Sequence, residues 1–257
     1  MLIFDLVGAV TQIQNKEIEA PVSKLGFTFI SNTATPLTTT YTTFNAFQAA
    51  LANMKITAVA QGKNRARTLL QDIPIGDLLE IAASNEGCVD ADGFGIVQAT
   101  IEFSERGALE LDADTKLQVS VTGKPAGMNV YCYAIEHPNR VKEAILYETR
   151  TVNANDEKEF DVEDYHLIAL PGTLSTLELA YANGNTARYK PEELAHIVKD
   201  VNEVVAKWAG FIQTGQSNFF VISIEPCTKV RVKFTAQSTI YLCREGVLDN
   251  NVKPSML

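Results

Sequence analysis

A sequence that repeats itself at a fixed offset narrows the folds open to it more than composition does, because each copy must bury equivalent faces in the same order. In this 257-residue chain the first half matches the second at a shift of 121 residues from Ile56 onward. Ile56 and Val59 fall on Leu177 and Ala180, and Ala66-Arg67 falls on Ala187-Arg188. Ile101 and Phe103 fall on Ile222 and Ile224, Leu109 and Leu111 on Val230 and Val232, and Val119 and Val121 on Ile240 and Leu242. Upstream the shift becomes 142: Ile3 matches Ile145, Lys16-Glu17-Ile18 matches Lys158-Glu159-Phe160, and Leu25 stands opposite Leu167. The difference of 21 residues marks an insertion in the first copy, at 32–53, where a Thr-rich stretch runs into a helix-patterned one.

Each copy reads as mainly β. Apolar residues at period two, suited to strands with one buried face, recur in Leu25–Ile30, Ile96–Phe103, Leu117–Val121, Phe219–Ile224, Val230–Phe234 and Thr239–Leu242. Asn183-Gly184-Asn185 is a strong hairpin signal and Gln61-Gly62-Lys63-Asn64 a weaker one. Three segments read as helix: Phe44–Met54, Ile75–Ala83 after Pro74, and Pro191–Trp208. In the last, proline stands at a first-turn position, and Leu194, Ile197, Val198, Val201, Val204, Val205 and Trp208 form one apolar stripe expected to face a core.

Two copies of about eight strands, each in roughly 115 to 140 residues, have the size of two tandem eight-stranded jelly-roll barrels with a few short helices. The expected domains are 1–136, carrying the inserted segment 32–53, and 137–257. Glu136-His137-Pro138-Asn139-Arg140 forms the join. It is too short for a flexible linker, so the barrels are expected to pack side by side.

Composition serves mainly to exclude. The net charge is −9, and no Lys/Arg block occurs anywhere, so direct binding of nucleic acid is not expected. No stretch reaches the ~18 consecutive apolar residues of a membrane span. The opening Met1-Leu2-Ile3-Phe4-Asp5 does not read as a signal peptide. Cys88, Cys132, Cys227 and Cys243 form no C-x-x-C pair and read as free buried thiols.

No motif assembles into a catalytic, cofactor-binding or metal site, so none of these is expected. His137, His166 and His196 form no H-x-H cluster of the kind a two-barrel cupin enzyme uses. His196 and Asp200, one helical turn apart, read as a solvated helix face. Asp90-Ala91-Asp92-Gly93 resembles the start of a calcium loop but has Ile101 where the bidentate glutamate belongs. A loop acid cluster is the better reading, with a lattice calcium as the alternative. Glu192-Glu193 suits the first turn of a helix. Gly62-Lys63 and Gly93-Phe94-Gly95 lack the further glycines of phosphate loops, and no G-x-S-x-G elbow occurs.

The two hairpin–helix blocks, Ile56-Thr57-Ala58-Val59 through Ile75-Gly76-Asp77-Leu78-Leu79 and Leu177-Glu178-Leu179-Ala180 through Pro191-Glu192-Glu193-Leu194, carry a resemblance. In chain length and tandem plan the sequence resembles the double jelly-roll major capsid proteins of tailless, membrane-containing icosahedral phages, of the compact corticovirus-like type with larger tectivirus relatives. The resemblance implies a non-enzymatic coat protein located in the virion and assembled in the host cytoplasm. It implies a homotrimer whose six barrels form a pseudo-hexagonal capsomer, in contact with neighbouring capsomers, minor capsid or vertex proteins and an internal viral membrane. The insertion 32–53 is then a candidate intersubunit contact, and the polar, proline-containing 249–257 reads either as a terminal arm or as a disordered tail. The alternative is a carbohydrate- or receptor-binding β-sandwich of a spike or adhesin. Such a site favours exposed aromatic platforms, and the single tryptophan, Trp208, lies in the apolar stripe.

Overall fold

The computed structural model describes residues 1–62, 66–86, 89–91, 95–104, 106–111, 115–201, 205–208, 211–214 and 218–248. The first half carries β1 (Leu2–Leu6), β2 (Ile13–Ile18), β3 (Lys24–Ser31), α1 (Leu37–Thr40), α2 (Phe44–Ala50), β4 (Lys55–Gln61), β5 (Ala66–Pro74), α3 (Ile75–Glu86), β6 (Val89–Ala91), β7 (Val97–Glu102), β8 (Ala108–Leu109), β9 (Lys116–Thr122) and β10 (Met128–Ile135). The second carries β11 (Arg140–Val141), β12 (Glu143–Val152), β13 (Glu157–Asp161), β14 (Leu167–Pro171), β15 (Leu174–Tyr181), β16 (Thr186–Tyr189), α4 (Pro191–Val201), β17 (Val205–Trp208), β18 (Phe211–Thr214), β19 (Phe219–Ser223), β20 (Cys227–Phe234) and β21 (Ser238–Val247).

The strands pair on one plan twice. In the first half β1-β10-β3-β7 lie side by side and face β2-β9-β4-β5; in the second, β12-β21-β14-β19 face β13-β20-β15-β16. Counting eight principal strands per half, each half places first, eighth, third and sixth in one sheet and second, seventh, fourth and fifth in the other. This is a jelly roll in each half. The alternation read from the sequence decides which face turns inward: Leu25, Phe27 and Phe29 of β3 and Leu117, Val119 and Val121 of β9 are all buried. Local signals hold where they were strongest. Gly184, at φ +82°, turns β15 into β16. Pro191 opens α4, where Glu193 accepts the backbone N–H of Lys190 at 2.8 Å as a capping box does.

The repeat is real at the level of single hydrogen bonds, but its offset is not constant. Phe103 N–H donates to Ser23 O at 2.8 Å, and Ile224 N–H to His166 O at 2.9 Å; Ser23 N–H donates to Ile135 O at 2.8 Å, and His166 N–H to Cys243 O at 3.0 Å. These pairs keep the expected match of Phe103 with Ile224. They set Leu25 against Ile168 rather than Leu167, since Leu25 stands opposite Ile101 and Ile168 opposite Ile222. Val121 faces Ile56, and Val232 faces Leu177, so Val121 corresponds to Val232 and not to Leu242. The expected match of Leu109 with Val230 fails as well, because Leu109 belongs to β8, which pairs with β11. Arg67 lies opposite Ala60 but Arg188 opposite Glu178, so these arginines are not counterparts. The mismatches at Leu25 and Arg67 lie upstream of the connection between sixth and seventh strands; for Val121 that connection is the cause, running from Glu102 to Lys116 in one half and only from Ser223 to Cys227 in the other. A period-two pattern looks the same after any shift by an even number of residues, so pattern alone could not detect the slip.

Two further expectations are corrected. The helix expected over Pro191–Trp208 ends at Val201, and Val205–Trp208 is strand β17. It pairs in parallel with β6, Lys207 against Asp90, and with β18 it extends the β1-β10-β3-β7 sheet of the other half. An open strand edge offers a backbone partner that outweighs helical periodicity. The stripe also fails to be core throughout: Leu194 is buried, but Ile197 is exposed. The segment 32–53 is mostly exposed, but its helices turn part of it inward. Thr43 caps α2 by accepting Ala46 N–H at 3.1 Å, and Phe44, Phe47 and Leu51 are buried in the core. Phe47 meets Phe29 edge-to-face at 5.2 Å between ring centres, and Tyr41 at 5.8 Å.

Phe29 is the centre of that aromatic group, also contacting Phe27 at 6.2 Å. Phe29→Ala is therefore expected to destabilise the protein by about 3–5 kcal/mol, read as a lower urea midpoint at unchanged slope.

Candidate functional site

The two sheets of the second half have unequal surroundings, and this asymmetry defines the most elaborated site in the chain. The β12-β21-β14-β19 sheet is buried on both faces. Ile168, Leu170, Ile240 and Leu242 point into the core of the second half. Ala169, Val221, Phe219 and Tyr241 point the other way and join the core cluster of the first half. A sheet with two apolar faces must be covered on both, and the cover here is α3 together with neighbouring parts of the first half. In consequence α3 has Leu78 and Leu79 buried on one side and Glu80 and Ile81 buried as well.

Glu80 is 1% exposed, and its carboxyl group is fully engaged. Its Oε1 accepts the backbone N–H of Asn218, and that of Phe219 at 3.2 Å; Gln48 of α2 donates its side-chain amide to Oε2. Asn218 closes the set by donating from Nδ2 to Gln48 Oε1 at 2.8 Å. One carboxyl group thus ties α2 and α3 of the first half to the start of β19 in the second. One turn earlier, the Tyr241 hydroxyl donates to Asp77 Oδ2, and its ring lies 5.7 Å from that of Phe219. Burial pushes the Asp77 carboxyl above its ordinary range, with the Tyr241 hydrogen bond partly opposing this. At the far end Arg67 donates to Val247 O, and Gly246 makes room for it, since a Cβ there would lie 2.5 Å from Arg67 Nη2. The join is clamped too: β11 pairs in parallel with β8, and Ile145 N–H donates to Phe103 O at 2.8 Å.

The sheets opposite carry paired charge outward. Lys116 of β9 bridges Glu17 at 2.7 Å and Glu19 at 2.9 Å. Arg231 of β20 meets Glu159 at 2.7 Å and Glu178 at 3.2 Å, while Lys229 meets Glu159 at 2.8 Å. The Lys116 hydrogen bond holds Glu17 below the usual carboxylate range, and Lys229 with Arg231 does the same for Glu159. Exposed cross-strand pairs of this kind set register and solubility more than stability.

The motifs weighed in the sequence are scattered. Asp90-Ala91 lies in β6 rather than in a loop, and Asp92, Gly93, Phe94 and Lys63 fall outside the described residues, as does Cys88. Cys132, Cys227 and Cys243 are free, buried thiols, and burial pushes each up from its ordinary value. His196 is exposed on α4 and Trp208 lies in β17, while the side chains of Asp200 and Trp208 are beyond the described set. Among the described residues no three His, Cys, Asp or Glu side chains converge as a metal site. Sequence reasoning missed Glu80. The only signal was an acid set among apolar residues, Leu78-Leu79-Glu80-Ile81.

Two outcomes follow for the junction. Glu80→Ala leaves the Asn218 and Phe219 amides without their acceptor and is expected to destabilise by about 2–5 kcal/mol in urea unfolding, with Glu80→Gln milder. For Asp77 the folded value lies above the unfolded one near pH 4, so its favourable term is complete below that pH and is lost as pH rises through the folded value. Asp77→Asn, which keeps an acceptor for Tyr241, should therefore gain stability relative to wild type as pH rises across that window. A difference constant with pH would contradict the assignment.

No protein-family model matches the sequence, and no curated protein is similar to it in sequence. Among solved structures, the chain overlays on the major capsid protein P2 from Bacteriophage PM2 with a TM-score of 0.57, at 11% identity, covering 95% of each chain. The mavirus major capsid protein (TM-score 0.32, 9% identity, 96% of this chain and 86% of that one) and the PBSX exported protein XepA (TM-score 0.22, 6% identity, 96% and 86%) overlay too loosely to inform the fold. With first-eighth-third-sixth and second-seventh-fourth-fifth strand orders in both halves and this overlay along nearly the whole length, the chain folds as a double jelly roll.

Proposed function

We propose that the chain is a viral coat protein, a non-enzymatic building block of an icosahedral virion. The observation that carries this reading is the end-to-end overlay on a major capsid protein of the same fold and nearly the same extent. The interior agrees with a role as a single building block. Two barrels held by a buried carboxyl group, a two-faced sheet and a clamped join form a block that transmits force rather than a pair of hinged domains. Outward charge that is largely paired, on a chain of net charge −9, suits a subunit kept soluble until it assembles.

In this reading the halves meet between 136 and 137, with 32–53 as a segment particular to the first. Three chains form a capsomer of six barrels with a pseudo-hexagonal outline. Its partners are neighbouring capsomers, minor or vertex proteins and an internal membrane. No cofactor takes part, and nucleic acid is not bound directly.

Light scattering after size exclusion should give roughly 84 kDa, three times the 28.1 kDa chain, and electron microscopy of those particles should show pseudo-hexagonal outlines. A species that stays at 28.1 kDa at high protein concentration would remove the capsomer from the proposal.

A further inference from the structure

The same sheet is fully covered in one half of the chain and, among the described residues, half-exposed in the other, where Ile135 lies over Gly26 but Leu2, Tyr133 and Ile135 remain exposed. The register makes the comparison residue by residue. In the second half Tyr241 has Ala169 and then Val221 beside it across β14 and β19. In the first half Tyr133 occupies that place, with Gly26 and then Thr100 beside it across β3 and β7. Both rows face away from their own barrel. Tyr241 is 2% exposed, because α3 covers it; Tyr133 is 37% exposed, with Leu2 and Ile135 exposed around it.

The helices show the reciprocal difference. Ile73 stands opposite Ile56, and Tyr189 opposite Leu177, which aligns the start of α3 with the start of α4. Leu78 then corresponds to Leu194, and both are buried toward their own barrels. On that alignment Asp77 corresponds to Glu193 and Ile81 to Ile197. Ile81 is 2% exposed, on the helix whose Asp77 meets Tyr241, whereas Ile197 is 44% exposed. Each chain therefore contains one seated pair, a sheet face on a helix flank, and one unmatched member of each kind at its two ends.

We infer that the half-exposed outer face of β1-β10-β3-β7 seats the α4 flank of a second copy of this chain, with Tyr133 over Glu193 and Ile197 against the Leu2, Tyr133 and Ile135 surface. The occupant is argued from continuity with the contact inside the chain. That contact already joins this kind of face to this kind of flank, and only another copy offers the missing partner of both surfaces. The face presents Leu2, Tyr133 and Ile135, and the helix presents Ile197 beside Glu193, so such a contact would cover exposed apolar side chains on both surfaces. Because face and flank are different surfaces, the contact is head-to-tail, and it closes a ring only where the repeated rotation closes. The inference deepens the coat-protein reading and rests on it only for the premise that copies associate.

The test uses the full chain with Tyr133→Glu and, separately, Ile197→Glu. Both positions are exposed, and far-UV circular dichroism and a melting curve verify the fold of each. Each variant should associate at least about tenfold more weakly than wild type, since each places a charge at the centre of the contact. Mixing the two in equal amounts should give a one-to-one pair of about 56 kDa and no larger closed particle, because each supplies the surface that the other lacks. Variants that assemble as wild type does would overturn the inference and leave the assembly reading standing. A mixture that remains monomeric would overturn it as well, pointing to a contact that uses one surface twice. A wild-type protein that is monomeric throughout overturns both. If Tyr133→Glu does not fold, Thr100→Arg on the same row takes its place with the same expectations.

Discussion

The buried carboxyl group of Glu80 is the interaction on which the arrangement of the two barrels depends. A carboxyl group taken from water is costly unless its lone pairs are used, and here two backbone amides and the Asn218 side-chain amide of the second half, with the Gln48 side-chain amide of the first, use them. The amides of Asn218 and Phe219 lie at the entry to β19, so the bond sets where that strand begins and how its sheet sits on α3. Non-directional apolar contact through Val221 and Tyr241 supplies area; the hydrogen bonds supply a single alignment.

That alignment explains why two halves with the same strand order have diverged in composition. Alanine and valine stand on the fully covered sheet face where glycine and threonine stand on the half-exposed one, as Ala169 and Val221 compare with Gly26 and Thr100. Likewise α3 is apolar or internally satisfied around most of its girth, whereas Glu192, Glu193 and His196 keep much of α4 in water. The two barrels share one strand order, and the surface that each finds beside it determines which residues it can carry.

The extension of one sheet by β17 and β18 is a second bond between the halves, of a different kind. It runs through backbone hydrogen bonds at a sheet edge rather than through side chains. Together with the β11–β8 pairing at the join, it makes the halves share secondary structure at separate places. The two barrels are thereby tied to each other at several separate points.

Much of the fold was legible in the residues themselves. Alternation in Leu25–Ile30 and Leu117–Val121 reports a strand with one wet and one dry face, Asn183-Gly184 reports a hairpin, and Pro191 reports where a helix begins, because each depends on local geometry alone. The order of those elements, occurring twice, determined the tandem jelly roll. The register between the copies was not legible, since period-two patterns are unchanged by even shifts, and only cross-strand hydrogen bonds separate Val232 from Leu242 as the counterpart of Val121. Nor was the end of α4, because β17 forms on an edge supplied by the other half. The role of Glu80 and the contrast between Tyr133 and Tyr241 were decided by tertiary structure for the same reason. Whether a side chain outside its own core is buried depends on which distant surface arrives to cover it, and no local pattern encodes that arrival.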